Sequence, residues 1–202
     1  MNNQIRFKKL IQTALLAALC FVSFTYLQIK IPMPGGDATS LHIGNAFCVL
    51  AALLLGGWYG GLAGAIGMTI ADLLDPVYIV VAPKTFVLKL CIGLITGLIA
   101  HKVAKISESN DKKYILKWSV ISAIGGLAFN VIADPIVGFF YKQYLLGQPQ
   151  DAALILAKLS AATTFINAVV SVMLVTLIYN SVRPILQKSG LLLPVEYKDS
   201  SC

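Results

Sequence analysis

Several polar side chains sit inside runs of sequence that are otherwise apolar. Asp72 and Asp75 close one such run; Lys84 and Lys89 open the next, with Lys89 flanked by Val87-Leu88 and Leu90-Cys91. Asn130 and Asp134 are spaced i, i+4, so they share a face if the segment is helical. Asn167 lies in the middle of the last apolar run, and His42 and Asn45 stand at the entry to the second. An ionised group in hydrocarbon loses its hydration at a cost of several kcal/mol, so each must be paired, face a cavity or meet a ligand. The chemistry on offer is recognition: carboxylates accept hydrogen bonds, ammoniums donate them, and amides do both. Asp, Lys and Asn suit hydroxyl and ring-nitrogen groups better than a long apolar ligand.

Each residue has a plainer use. Lys84 can snorkel to the interface. Asp75 and Asp134 each precede proline and can mark a helix end or kink. Asn130 and Asn167 can be hydrogen-bond glue between helices. Lys89 is the hardest to account for. Either it pairs with an acid such as Asp72 or Asp134, or it contacts a polar ligand, and the two roles can coexist. Catalysis is not expected. The only histidines are His42 and His101, and His101 has no acidic or nucleophilic companion nearby in sequence. Cys20, Cys48, Cys91 and Cys202 follow no metal spacing. The glycine-rich stretch 56–61 lacks the Lys-Ser/Thr of a phosphate-binding loop. No metal or cofactor is called for.

The elements that must position these residues are membrane helices. The chain has 202 residues, 57% hydrophobic and 12% charged, against roughly 25% charged in soluble domains. Too little charge remains to cover a water-exposed surface, and long stretches hold none. About 20 apolar residues cross a bilayer. The pattern predicts an all-α integral membrane bundle, a single domain over 1–202. Its six transmembrane helices are expected near 10–30, 43–57, 60–75, 85–104, 118–141 and 152–182. The first has a basic start but is too long for a signal peptide and lacks a clean cleavage site, so it is expected to be retained. Residues 32–41 are expected to be a loop, 56–61 a tight turn, and Asp134-Pro135 an interruption of helix five. Gly60 with Gly64, and Ala63 with Gly67, provide small-xxx-small spacing for close helix approach.

Six crossings put both termini on one side. With them go Arg6, Lys8, Lys9, Lys102, Lys105, Lys112, Lys113, Lys117, Arg183, Lys188 and Lys198, 11 of the 16 basic residues. The positive-inside rule then places both termini in the cytoplasm. The same bias explains the formal charge of +7 without nucleic acid as a partner. Tyr78, Phe86, Phe139, Phe140 and Tyr141 fall at one outer level, as an aromatic belt or as ring faces for a flat ligand.

Taken together, Pro34-Gly35-Gly36, Leu41-His42-Ile43-Gly44-Asn45, Leu54-Leu55-Gly56 through Gly61, Gly67, Ala71-Asp72-Leu73-Leu74 and Thr85-Phe86-Val87-Leu88-Lys89 resemble the S component of energy-coupling factor (ECF) transporters. The riboflavin-transporter-like branch, with its pyridoxine and hydroxymethylpyrimidine subunits, is the most similar. The resemblance covers the whole chain in length and topology, and is most specific from Pro34 to Lys89. It implies a subunit of a bacterial cytoplasmic membrane importer that captures a small water-soluble vitamin or precursor from outside. It also implies partners: a transmembrane coupling protein and two cytoplasmic ATPase subunits. The family's docking strip of small residues on helix one maps to Ala14 and Ala18, and its outer-facing site falls where His42, Asn45, Asp72, Lys84 and Lys89 lie; Asn130, Asp134 and Asn167 join them as candidates on the argument from the residues alone. Pyridoxine or hydroxymethylpyrimidine is the favoured ligand, with riboflavin, pantothenate and a queuosine precursor as alternatives. Trp58 and Trp118 both map near the cytoplasmic side, which argues against thiamine. A self-sufficient ion-coupled transporter is the rival reading. It calls for an internal repeat or broken helices near the midplane, and no convincing duplication is seen. A ligand-free scaffold would leave Lys89 and the acids unexplained.

Overall fold

The computed structural model describes residues 3–33 and 36–195. Pro34, Gly35, Lys198 and Cys202, used above, lie outside the described residues. Six α-helices carry the chain back and forth: α1 Asn3–Tyr26, α2 Gly44–Leu55, α3 Gly57–Leu73, α4 Ala82–Gly97, α5 Lys112–Phe140 and α6 Gln150–Lys188. α4 and α5 end in wide π-type turns, Leu98–Val103 and Tyr141–Leu145. Four helical stretches are long and apolar enough to cross a membrane: Asn3–Tyr26, Ile79–Val103, Lys112–Leu145 and Gln150–Lys188. α2 and α3 are shorter, roughly 18 and 26 Å at 1.5 Å per residue, and α2 is buried along nearly its whole length.

α3 is the hub, because its small residues let other backbones close on it from three sides. Gly60 and Gly64 face Ala52 and Cys48 of α2, and Gly67 faces Ala17 and Cys20 of α1. The α4 backbone comes as close. A side chain on Gly61 would meet the Leu90 carbonyl at 2.8 Å, and one on Gly93 would drive into the Gly61 backbone. Dispersion contacts between flat strips replace the hydrophobic drive that lipid cannot supply. Large apolar side chains such as Phe165 (59% exposed) and Leu177 (69%) point outward from α6.

Five local expectations need correction. Helix one ends at Tyr26 rather than near residue 30. Gln28–Pro32 (β1) instead pairs antiparallel with Ala38–His42 (β2), with Gln28 opposite His42, so the expected loop is half of a hairpin. Polar and apolar residues alternate over Gln28–Ile31, a period-2 pattern that suits a strand, and the Met33 N–H donates to the Asp37 carbonyl at 2.8 Å to close the hairpin. The glycine-rich turn is a single residue, Gly56, whose φ of 88° only glycine adopts without strain. α3 starts at once with Gly57. Helix five starts at Lys112, six residues early, because the Asp111 side chain caps it by accepting from the Lys113 N–H at 2.9 Å. It also runs unbroken through Pro135. Proline removes one N–H, but the packed neighbours of a membrane bundle tolerate that loss.

Candidate functional site

At the hairpin end of the bundle the helices part to leave a cavity of about 110 Å³. β2 roofs it, α3 and α4 form one wall, and α5 and α6 the other. All eight residues singled out from the sequence line it: His42, Asn45, Asp72, Lys84, Lys89, Asn130, Asp134 and Asn167. They come from six different elements, so only the tertiary fold brings them together.

Within this cavity the polar groups divide by whether the protein satisfies them. Asp134 is fully engaged: Lys84 Nζ donates to Oδ1 at 2.9 Å, while Ser160 and Thr164 donate to Oδ2 at 2.7 and 3.3 Å. This ties α4, α5 and α6 together below the roof. Asn167 holds the roof itself. Its Oδ1 accepts from the His42 backbone N–H at 3.0 Å and its Nδ2 donates to the Ser40 carbonyl at 2.8 Å. The amide thus serves β2 as a one-residue edge strand, since it offers one donor and one acceptor in the spacing of a peptide group. Thr39 and Thr163 share a hydroxyl bond at 2.7 Å beside it. Ion pairs Lys142–Asp37 and Lys30–Asp75 latch the hairpin to the end of α5 and to the turn after α3. Asp75 also accepts from the Val77 N–H at 3.0 Å, which makes it a turn residue outside the cavity lining.

The second group carries polar atoms that the protein leaves without a well-formed hydrogen bond. His42 Nδ1, Asn45 Oδ1, Asp72 Oδ2, Tyr78 OH and Asn130 Oδ1 are buried without a hydrogen bond, and all five residues line the cavity. Asn45 and Asn130 are 1% exposed and Asp72 2%, so bulk water does not serve them. Lys89 lies beside them: it is buried, it lines the cavity, and it forms no ion pair with any carboxylate among the described residues. The pairing of Lys89 with Asp72 or Asp134 left open by the sequence is therefore not made. Burial, with the Lys89 ammonium behind it, pushes the His42 imidazole down to about 3, so the ring is neutral and stacks edge-on against Phe24 at 4.7 Å. Orphaned buried groups are rare because each costs roughly 1–3 kcal/mol. Several facing one space mark a place where something else is meant to satisfy them.

A family model for the ECF-type riboflavin transporter, S component, matches residues 4–184. The chain belongs to that family. Among solved structures this S component is similar to the crystal structure at 2.1 Å of the S component for biotin from an ECF-type ABC transporter. The two share 21% identity with a TM-score of 0.58, over 96% of this chain and 100% of that one. At that identity the likeness is one of fold. No curated protein sequence matches the chain.

Part of the cavity lining was missed from the sequence. Ser160 and Thr164 line it on α6, seven and three residues before Asn167, a polar stripe that periodicity could have exposed. Thr85 lies one turn before Lys89 on α4 in the same way. Asp37 and Lys142 left no signal, because they lie in connections whose register only the fold defines. Ala14 and Ala18 lie exposed along the outer side of α1, away from the cavity. His101 is a structural bridge: Nε2 donates to the Ala52 carbonyl at 3.1 Å, which leaves Nδ1 to accept from Ser107 at 2.6 Å.

Proposed function

We propose that this S component captures a small, polar, ring-containing vitamin or vitamin precursor from outside the cell, pyridoxine or hydroxymethylpyrimidine in first place. All six helices then cross the membrane, α2 and α3 as short spans deep in the bundle, and both termini are cytoplasmic. The hairpin faces outward and the basic ends of the helices face the cytoplasm, in keeping with the positive-inside rule. The observation that carries the reading is the set of orphaned polar atoms around one roofed space. A membrane bundle without a ligand gains nothing from burying them. The cavity has room for roughly seven to ten water-sized groups, about one substituted ring. A fused three-ring ligand with a polyol tail needs the hairpin to move. Energy for uptake comes from an ECF coupling protein and two cytoplasmic ATPase subunits, with Ala14 and Ala18 as the flat strip on which α1 meets the coupling protein.

Native mass spectrometry of the gently purified protein tests this, with identification of any small molecule released on denaturation. A stoichiometric vitamin of this size supports capture. An empty protein that also binds none of a vitamin panel overturns it.

A further inference from the structure

Six charged side chains line the cavity: Asp37, Asp72, Asp134, Lys84, Lys89 and Lys142. Two pairs cancel inside the protein, Lys84 with Asp134 and Lys142 with Asp37. One base and one acid are left over, Lys89 on α4 and Asp72 on α3, both buried and not paired with each other. Their polarity is fixed: an ammonium only donates, and a carboxylate only accepts. Asn45 and Asn130 are different, because an amide can turn either its oxygen or its nitrogen to a ligand.

We propose that the ligand is a compact ring with no net charge and two unlike edges. An acceptor or oxyanion faces Lys89, and an N–H or amino donor faces Asp72, as in a hydroxypyridine or an aminopyrimidine. The proposal rests on the vitamin-capture reading and goes further, because it names Lys89 and Asp72 as the pair that sets specificity. A monoanion would satisfy Lys89 and leave Asp72 facing like charge; a monocation would do the reverse. A dipolar ring satisfies both without adding net charge to a space of low dielectric.

The test measures Kd by isothermal titration of the full chain in detergent. The probes are pyridoxine, 4-amino-5-hydroxymethyl-2-methylpyrimidine, biotin, pantothenate and riboflavin. The wild type is expected to bind one or both single rings at least roughly 100-fold more tightly than either acid. Lys89→Met should weaken ring binding roughly 10- to 100-fold, as expected for losing a charged hydrogen bond. Asp72→Asn should weaken ring binding on the same scale and shrink the discrimination against biotin and pantothenate. Wild-type protein with ligand analogues decides the matter if a variant does not fold. N-methylation of the pyridoxine ring, or removal of the amino group from the pyrimidine, should cost about 10-fold or more. Two outcomes overturn the inference while leaving vitamin capture intact. One is a monoanion or riboflavin as the tightest ligand. The other is unchanged ratios in both folded variants or unchanged affinity for the analogues. Binding of none of the five overturns capture itself, and this inference with it.

Discussion

Replacing Asp134 by alanine should destabilise the bundle before it affects any ligand. Asp134 is 15% exposed at its side chain and its partner Lys84 11%, so the pair is largely cut off from water. Removing the acid leaves the Lys84 ammonium uncompensated, which costs about 3–5 kcal/mol for a buried pair. The lost Ser160 and Thr164 bonds add little, since both hydroxyls can rotate to backbone carbonyls one turn earlier. For a chain of this length that loss corresponds to roughly 6–20 °C in the unfolding midpoint, measurable by thermal scan of the detergent-solubilised protein. The control is Lys84→Met with Asp134→Leu. Removing both charges together should recover most of the loss, because apolar replacements of a buried pair are often neutral or stabilising. A single variant that melts within a degree or two of wild type would sink the reasoning. So would a double variant as unstable as the single. Either result would mean that Lys84 is solvated on its own and that Asp134 is free to serve a ligand. The assignment of Lys89 and Asp72 as the leftover charges would then fail as well.

Three further outcomes follow from the same geometry. Asn167→Leu strips the His42 N–H and Ser40 carbonyl of their partner, so amide exchange across Ala38–His42 should accelerate at least tenfold and the bound vitamin should dissociate faster; unchanged exchange would mean that the hairpin holds itself. Gly93→Leu forces a side chain into the Gly61 backbone, and should abolish recovery of monodisperse protein. Gly138→Ala, which meets only the Lys84 Nζ at 3.4 Å, should be recovered normally, and similar yields from both would refute the close-approach argument. Ala14→Trp and Ala18→Trp should bind ligand as wild type does but fail to assemble with the coupling protein in a pull-down, whereas normal assembly would remove α1 from the docking surface.

The fold was legible wherever burial wrote a long run into the sequence. The α4 and α6 segments were located from hydrophobicity alone, because a membrane-crossing helix leaves about 20 apolar residues in a row. The hairpin was not legible. Its ten strand residues include Lys30, Thr39 and Ser40, carry no 3.6 period, and gain their order from the latches Lys30–Asp75 and Lys142–Asp37. Those contacts join residues 45 and 105 positions apart, a separation that no local pattern reports. Asp111 as a helix cap was readable in principle, as an acid just before an apolar-periodic stretch. The surrounding lysines masked it by making the whole region look like a solvated loop.

The membership of the site was visible in the sequence, but the division of labour within it was not. Asp72 and Asp134 are both acids near a helix-ending or helix-bending context, and nothing in their neighbours ranks one above the other. The structure separates them through what the rest of the protein offers: Asp134 meets Lys84 and two hydroxyls, whereas Asp72 Oδ2 meets no donor. The same division places Asn167, satisfied by backbone, apart from Asn45 and Asn130, which are not. Two separable phenotypes follow from this. Substituting a satisfied group orphans its partners, so the loss appears in the unliganded protein as lower stability. Substituting an orphaned group removes a desolvation cost that the unliganded protein already bears. Lys89→Met and Asn130→Leu should therefore leave the apo unfolding midpoint unchanged or higher while ligand affinity falls. Measured across Asp134, Asn167, Lys89 and Asn130, apo stability and affinity should part into these two groups. If all four variants lose stability and affinity in proportion, the orphaned atoms have protein partners and the charge balance of the cavity must be redrawn.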